Sequence, residues 1–441
     1  MENIDEIATV ALKAGRIICE SSGETYRAED TITIIGHSLG AERVEAYVTP
    51  TCIITQTEIK NDSGKSIKST QAVRIKKRAT NLEKITAVNA LSRKIAAKQE
   101  VVDYDKLEAE IDNIANMRSY GFFFSLFIAA LSGFAFTSLF AGSLPDACVS
   151  ALIGVVMRLV LFAVAPLKLS PFITTIIGGS VVSFLSALVR SCGVPIHFAI
   201  VNIGTLMYLM PGVAIVIAIR DIIGGDYVSG TSRAMEAFVV ALALSVGAAA
   251  GLLVFPDVLN YNTSLSVLQK PLPAFFYAAA ASIAFACIFE VKNKFHIGLA
   301  ALAGGVSWLF YVLLLRGGVS SLQACFLGSF SAGIIAEIFA LLFKAPSTVF
   351  FIPALISFVP GGGMYTAMYT VVLGKSSEVS AALLSTLSIA GAIALAIAFA
   401  TGVARVLASV KRKSPFNSVS LLFLNVQYNK VDSEHLRNNR F

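Results

Sequence analysis

The sequence predicts a mainly α-helical polytopic membrane protein, with ten transmembrane helices as two inverted five-helix repeats and a small N-terminal α+β cytoplasmic domain. Three observations predict this fold. Of 441 residues, 56% are hydrophobic and only 14% are charged, which is unusual for a soluble protein. Long apolar segments follow one another from residue 121 onward. The second five of these segments match the first five in hydropathy and in the position of a Pro-Gly pair.

Charge separates the first 118 residues from the rest of the chain. Residues 1–118 hold 17 Lys and Arg and 18 Asp and Glu, whereas the longer remainder holds 18 and 10. The net charge of +7 therefore arises beyond residue 118, where Lys and Arg that flank membrane helices explain it better than a nucleic-acid patch. We expect no nucleic-acid partner. The six cysteines lack CxxC spacing, so neither a zinc site nor any cofactor is expected.

Residues 1–118 are predicted to form the cytoplasmic α+β domain. Apolar residues recur at helical spacing from Ile4 to Ile18, and a second helical stretch runs from Thr25 to Leu39. Alternating and β-branched residues then predict a small antiparallel sheet from residues 44–48, 51–57 and 72–75, before two further amphipathic helices. The N-terminus lacks the basic start and apolar run of a secretory signal, so we expect this domain to stay in the cytoplasm.

The rest of the chain holds ten apolar segments, each long enough to cross a hydrocarbon core of about 30 Å. The predicted spans are residues 121–141, 146–165, 172–190, 196–219, 234–255, 272–290, 297–315, 319–342, 347–373 and 379–404. They divide the chain into a first membrane repeat at 119–255, a second at 272–404 and a cytoplasmic tail at 405–441.

The two repeats carry the same sequence feature at the same place. Leu-Met-Pro-Gly at residues 209–212 corresponds to Phe-Val-Pro-Gly at residues 358–361, 149 residues later, and Pro195 corresponds to Pro346. Because five is an odd number, the second copy enters the membrane from the opposite side. Inverted repeats of this kind are found in many secondary transporters.

Lys and Arg in the short loops set the expected orientation. With the N-terminus inside, the inner loops hold six of these residues and the outer loops four. A basic cluster directly after the last span adds to the inner side: Arg405, Lys411, Arg412 and Lys413. Both termini are therefore predicted to lie in the cytoplasm, with the chain in the cell membrane.

The two Pro-Gly pairs are the candidate transport path. A proline inside an apolar span removes a backbone donor, and the groups that it frees are tolerated in a membrane only where they face protein or a water-filled cavity. One such pair is consistent with a simple kink, whereas two at matching positions favour a substrate site at the membrane midplane. The predicted path residues are Asn202, Pro211, Gly212, Pro360, Gly361 and Gly362.

Four charged residues are candidates for coupling or gating. Glu337 lies deep in the eighth span, where an ionised carboxylate is costly, so we expect it to face the bundle interior and to be protonatable. Arg158 in the second span is the candidate opposite charge, and a purely structural ion pair is the alternative. Arg220 and Asp221 follow the fourth span as a possible gate or ion-pair latch, whereas Arg233 is interpreted as an inner-loop charge.

Gly36-His37-Ser38-Leu39-Gly40 matches the GxSxG motif of serine hydrolases. A soluble region of about 118 residues is too short for the usual hydrolase sheet, and Gly40 equally well ends the second helix. Hydrolysis is therefore a minor alternative, and we expect no enzyme. No Walker-type GxxxxGK[ST] sequence indicates ATP-driven work either.

Four stretches of the chain resemble the threonine/serine exporter family. They are SSGETYRAEDT, GAERVEAYVTPT, MPGVAIVIAIRDIIGGDYVSGTSRAMEA and PALISFVPGGGMYTAM, and the resemblance covers roughly residues 5–404 in order. Within them, the spacing PG(x)7RD(x)4D from Pro211 to Asp226 is fairly specific. The resemblance implies no catalytic residue. The positions that match the family's motif are Pro211, Gly212, Arg220, Asp221, Pro360 and Gly361.

The resemblance implies a cytoplasmic N-terminal domain, ten spans and efflux of threonine and serine driven by the proton-motive force. The expected partners are thus the lipid bilayer, protons as coupling ion and a small polar metabolite. Relatives with the two halves on separate chains are associated with succinate, so a dicarboxylate remains the alternative substrate. A passive channel is a further alternative, and assembly as a homo-oligomer is left open.

Overall fold

The computed structural model is mostly helical and divides the chain into two compact units. One unit holds residues 1–79, 84–117 and 401–441, and the other holds residues 80–83 and 118–400. The described residues are 4–60, 65–97, 103–255, 267–359, 362, 363, 367, 370 and 376–412. The predicted path residues Pro360 and Gly361 and nearly all of the predicted tail lie outside them.

The first unit combines helices with an antiparallel sheet. Its helices are α1 (Ile4–Glu20), α2 (Thr25–Ser38), α3 (Leu82–Ala97) and α4 (Tyr104–Ala115), and its strands are β1 (Arg43–Val48), β2 (Cys52–Lys60) and β3 (Ser66–Arg74). β2 lies between β1 and β3, so that Ile53 faces Val73 and Thr57 faces Val44. Isoleucines of α1, α2, β2 and α4 are fully buried together and form the core.

One strand is longer than its sequence pattern predicts. β3 begins at Ser66, whereas the apolar residues predict a strand only from Ala72. The first half of β3 is mostly polar and exposed on both faces, so it shows no alternation of apolar and polar residues. Its pairing with the far end of β2, where Ser66 faces Lys60, is what makes it a strand.

The second unit is a bundle of apolar helices. They are α5 (Phe122–Leu139), α6 (Leu144–Val164), α7 (Pro171–Ser191), α8 (Phe198–Leu206), α9 (Gly212–Ile223), α10 (Tyr227–Leu252), α11 (Pro271–Ile288), α12 (Lys294–Arg316), α13 (Ser321–Phe343), α14 (Thr348–Leu355) and α15 (Ser376–Arg412). The last of these continues into the residues assigned to the first unit.

Eight helices among the described residues are long and apolar enough to cross a membrane, and α8 with α9 adds a ninth crossing if this bent pair is one span. The prediction of a polytopic membrane protein is confirmed. The number ten stays a prediction, because the expected ninth span at 347–373 is described only in part. The fifth span begins at Tyr227 instead of residue 234, because the helix includes the charged Arg233.

The turns between corresponding helices have the same local geometry. Ala141 after α5 has a φ of 59° and Glu290 after α11 has a φ of 63°, a left-handed conformation that non-glycine residues seldom adopt. Next along the chain, the amide of Gly142 donates to Thr137 O and that of Val291 to Ala286 O, both at 2.9 Å. Thus the same rare turn recurs after 149 residues.

Candidate functional site

The fourth predicted span is broken at its Pro-Gly pair. α8 continues as a short 3-10 helix to Leu209, and α9 then starts at Gly212 with a change of direction of 58°. Met210 is extended, with φ −68° and ψ 134°, as expected for a residue before proline. Pro211 has no N–H to continue the helix, so the chain restarts as a new helix after it.

The ninth predicted span also stops partway. α14 has Pro353 inside it and ends at Leu355, after which the chain turns through residues 356–359. Phe358 and Val359 both donate their amides to Leu355 O, at 2.9 and 3.2 Å. Gly362 follows as a buried residue just past the Pro360-Gly361 pair.

The two broken spans touch each other. A Cβ added to Gly212 would lie only 2.2 Å from Val359 Cγ1, so the backbone of the first break lies directly against the residue before the second Pro-Gly. Eight residues further along α9, the Arg220 guanidinium lies 5.4 Å from the centre of the Phe351 ring of α14. α9 therefore approaches α14 and the turn that follows it at these two points. The first Pro-Gly pair thus lies against the residue that directly precedes the second pair in the sequence.

Asn202 connects two helices near the first break. It is 2% exposed, and its Oδ1 accepts a hydrogen bond from Ser183 Oγ of α7 at 3.0 Å. Asn202 therefore bridges α7 and α8. Its role in the transport path stays a prediction.

A chain of buried hydroxyls that the sequence pattern does not predict links α5, α6 and α8. Thr137 Oγ1 donates to Ser150 Oγ at 2.7 Å, and Ser150 Oγ is 2.6 Å from Thr205 Oγ1, which donates to Val201 O. These hydroxyls satisfy one another in an apolar environment. We call Thr137, Ser150 and Thr205 the hydroxyl chain. Single Ser and Thr residues in apolar spans gave no signal that they meet.

The motif charges after the first break lie near the C-terminus of α9, and the role of Arg220 and Asp221 as a gate or latch stays a prediction. Asp221 Oδ2 lies 3.0 Å from Arg233 Nε of α10, in an ion pair whose side chains are 2% and 7% exposed. Arg233 is therefore buried in an ion pair, and its interpretation as a loop charge is wrong. Arg220 lies against Phe351. Asp226, the last residue of the motif, lies between α9 and α10, where burial raises the pKa of its carboxyl.

The other two charged candidates lie on separate helices. Arg158 of α6 is half-buried, and its Nε donates to Ser125 Oγ of α5 at 3.5 Å. Glu337 is half-buried on α13, six residues before that helix ends. Their roles in coupling remain predictions.

A carboxylate and a histidine also meet at the start of α6 and α8. Asp146 is fully buried and accepts hydrogen bonds from the backbone amide of His197 at 2.8 Å and from its Nδ1 at 2.9 Å. Asp146 also completes a capping box with Ser143. The Ser-x-x-Asp spacing could have predicted the cap, whereas nothing in the sequence relates His197 to it.

The GxSxG motif lies at the end of a helix. Ser38 is the last residue of α2, and Gly40 follows with φ 102°. The amide of Ala41 donates to Gly36 O, as in a Schellman motif. The sharp strand-to-helix turn that exposes a hydrolase nucleophile is thus replaced by a helix C-terminus. Among the described residues, no group of three His, Cys, Asp or Glu is placed to hold a metal ion.

The apolar helices and their broken, touching spans define a polytopic membrane transport protein. The family model described as "Putative threonine/serine exporter" matches residues 9–255, and the model described as "Threonine/Serine exporter, ThrE" matches residues 274–403. The chain belongs to the threonine/serine exporter family, in a form that carries both halves. Comparisons with curated proteins and with solved structures find no match.

Proposed function

We propose that this protein exports threonine and serine across the cell membrane by alternating access, driven by the proton-motive force. The observation that carries the proposal is the contact between the two broken spans at Gly212 and Val359. Broken helices end within the bilayer. Their unpaired backbone groups and the partial charges at the helix ends can bind a small polar solute. Because the two breaks are in contact, they would form a single substrate site between the two halves of the protein.

We further propose ten spans in two inverted five-helix repeats. The recurring left-handed turn at Ala141 and Glu290 supports this arrangement, as do the serine caps of α7 and α13. Ser170 and Ser320 each accept the amide three residues on, at 3.4 Å in both cases. Inverted repeats allow one half to rock against the other around a fixed central site.

The proposed orientation places both termini in the cytoplasm, because Lys and Arg are more frequent in the loops on that side. In this orientation the linkers around residues 168, 292 and 344 lie inside, and those around residues 192 and 318 lie outside. Proton coupling is assigned to Glu337, whose carboxylate gains or loses charge within an apolar span.

Counterflow in proteoliposomes tests the function. Purified protein is reconstituted with unlabelled substrate inside, and the uptake of labelled threonine, serine or succinate is measured with and without a pH gradient. We expect exchange of threonine and serine and their uphill movement only with the gradient. Exchange of succinate alone would replace the substrate class, and no exchange of the three would refute the proposal. A flux that does not depend on the pH gradient would indicate a passive channel.

A further inference from the structure

Three aromatic rings meet where α12 and α13 pack against the end of α14. The ring centres of Trp308 and Tyr311 are 4.7 Å apart, and that of Phe358 lies 5.0 Å from Trp308 and 5.6 Å from Tyr311. Gly328 of α13 lies against this group, since a Cβ there would be 2.6 Å from Phe358 Cε1 and 3.2 Å from Tyr311 Cβ. We call Trp308, Tyr311 and Phe358 the aromatic cluster. It lies directly before the second Pro-Gly pair.

The first half contains the same contact with aliphatic residues. A Cβ at Gly178 of α7 would lie 2.6 Å from Leu209 Cδ1 and 3.6 Å from Leu161 Cδ2. Leu209 precedes Pro211 by two residues, as Phe358 precedes Pro360. Close packing at this point therefore does not require aromatic rings. The rings in the second half need a different explanation.

Buried polar atoms near the aromatic cluster lack hydrogen-bond partners. Among the residues that the structure describes, Ser307 Oγ, Trp308 Nε1 and Ser357 Oγ have none, although these residues are only 0%, 4% and 9% exposed. An unpaired polar group costs free energy in an apolar interior, and most such groups in proteins are paired. The hydroxyl chain of the first half is paired internally, by contrast. A polar ligand in the second half would supply hydrogen-bond partners for these three atoms.

The end of α14 adds a partial negative charge at the same place. The last carbonyl groups of a helix form the negative pole of the helix dipole, and of these Leu355 O already accepts the amides of Phe358 and Val359. Phe358 directly follows the last turn of this helix. Aromatic faces also attract cations, and a Trp face does so most strongly. The surroundings thus favour a ligand with a positive group.

We propose that the aromatic cluster, with Ser307 and Ser357, binds the head group of a zwitterionic α-amino acid. The α-ammonium group lies against the aromatic faces and the carbonyl pole of α14, and the carboxylate accepts hydrogen bonds from Trp308 Nε1–H and the two hydroxyls. This inference rests on the proposed transport of threonine and serine. A dicarboxylate lacks the cation and does not fit the site.

Tryptophan fluorescence tests binding directly, because Trp308 is the only tryptophan of the chain. The full-length protein in detergent is titrated with serine, threonine and succinate. We expect a saturable change of emission with the two amino acids and none with succinate, and no tryptophan signal from Trp308→Phe. Constant Trp308 emission in a protein whose proteoliposomes exchange serine would overturn the site and leave the transport function intact. Absence of all exchange would refute the function, and the site with it.

Matched substitutions separate recognition from packing. Tyr311→Leu and Phe358→Leu introduce the residue type that the first half has at the same contact, so we expect folded protein. The half-saturating serine concentration in counterflow should rise about tenfold in each variant, with a smaller effect on the maximal rate. Leu161→Met, at the matching position of the first half, should leave it within about twofold. Unchanged half-saturation in both Leu variants would contradict the proposal.

Discussion

Arg233 illustrates how a charged side chain is accommodated in an apolar helix. It lies in α10 one residue before the predicted start of that span at residue 234, and its ion pair with Asp221 is almost completely buried. Such a pair adds little net stability relative to apolar residues, but removing one partner leaves the other charge buried without this ion pair, which is costly. The pair therefore fixes α9 against α10 at the end of the broken span. Its strength can be measured by removing one partner and then both.

Arg233→Leu should destabilise the protein by about 3 kcal/mol, because Asp221 is left charged and buried. The double variant Asp221→Asn/Arg233→Leu should recover most of this loss, since no charge remains unpaired. Chemical unfolding of the protein in detergent, followed by circular dichroism, gives both values. Equal destabilisation of the single and double variants would show that the ion pair does not connect the two helices.

Glu337 is the second residue whose role can be tested separately. In the proposed coupling, Glu337 binds a proton on one side of the membrane and releases it on the other, because a charge within an apolar span is costly. Glu337→Gln should abolish uphill export driven by a pH gradient and retain part of the exchange at equal pH, because the amide preserves the shape and does not titrate. Transport is measured per folded molecule, as determined by size-exclusion chromatography. Unchanged uphill export would exclude Glu337 as the proton carrier.

At the scale of elements, the broken spans are the feature that distinguishes this bundle from one of continuous helices. α9 and α14 are both short helices, and Gly212 at the start of α9 lies against Val359, which follows α14. A glycine is required there because a Cβ has no room. Val359 can approach α9 this closely only with glycine at the start of the helix. Space at the contact should therefore control transport.

Gly212→Ala should reduce both stability, by about 1–3 kcal/mol, and exchange, because the new methyl group overlaps Val359. Adding Val359→Ala removes the overlapping methyl groups and should restore much of the exchange. Gly298→Ala in α12, where a Cβ would meet nothing within 4 Å, is the matched control and should leave exchange unchanged. Counterflow of labelled serine measures all three. Normal exchange by Gly212→Ala alone would argue against a tight contact at the breaks.

For the whole molecule, orientation in the membrane determines which ends of the helices face the cytoplasm. The proposed orientation places the linker between α7 and α8 outside and the linker between α6 and α7 inside. Cys192 lies in the first linker and is exposed, whereas Cys148 is exposed on α6. Native and introduced cysteines can thus report the orientation of the chain.

In a Cys148→Ser background, a membrane-impermeant maleimide should label Cys192 in intact cells, and Cys192→Ser should abolish this labelling. A cysteine introduced by Lys168→Cys into the background without Cys148 and Cys192 should be labelled only after the membrane is permeabilised. Mass spectrometry of the labelled peptides identifies each site. Labelling of position 168 and protection of Cys192 in intact cells would reverse the proposed topology.

The sequence by itself determined the membrane class, the approximate spans, the family and the repeated Pro-Gly pairs. These features are local: a run of about 20 apolar residues needs a membrane, and proline interrupts a helix wherever it lies. Hydrophobicity also set most boundaries to within a few residues, except where the charge of Arg233 concealed the start of α10.

Only the tertiary structure decided which residues meet. The partner of Asp221, the hydroxyl chain, and the contacts between Gly212 and Val359 and within the aromatic cluster all join residues distant in the sequence. A serine, an arginine or a tryptophan has the same local pattern whether its neighbour is lipid, a hydroxyl or a charge. Its partner depends on how helices pack, and packing depends on small residues at crossing points, which an apolar pattern does not reveal.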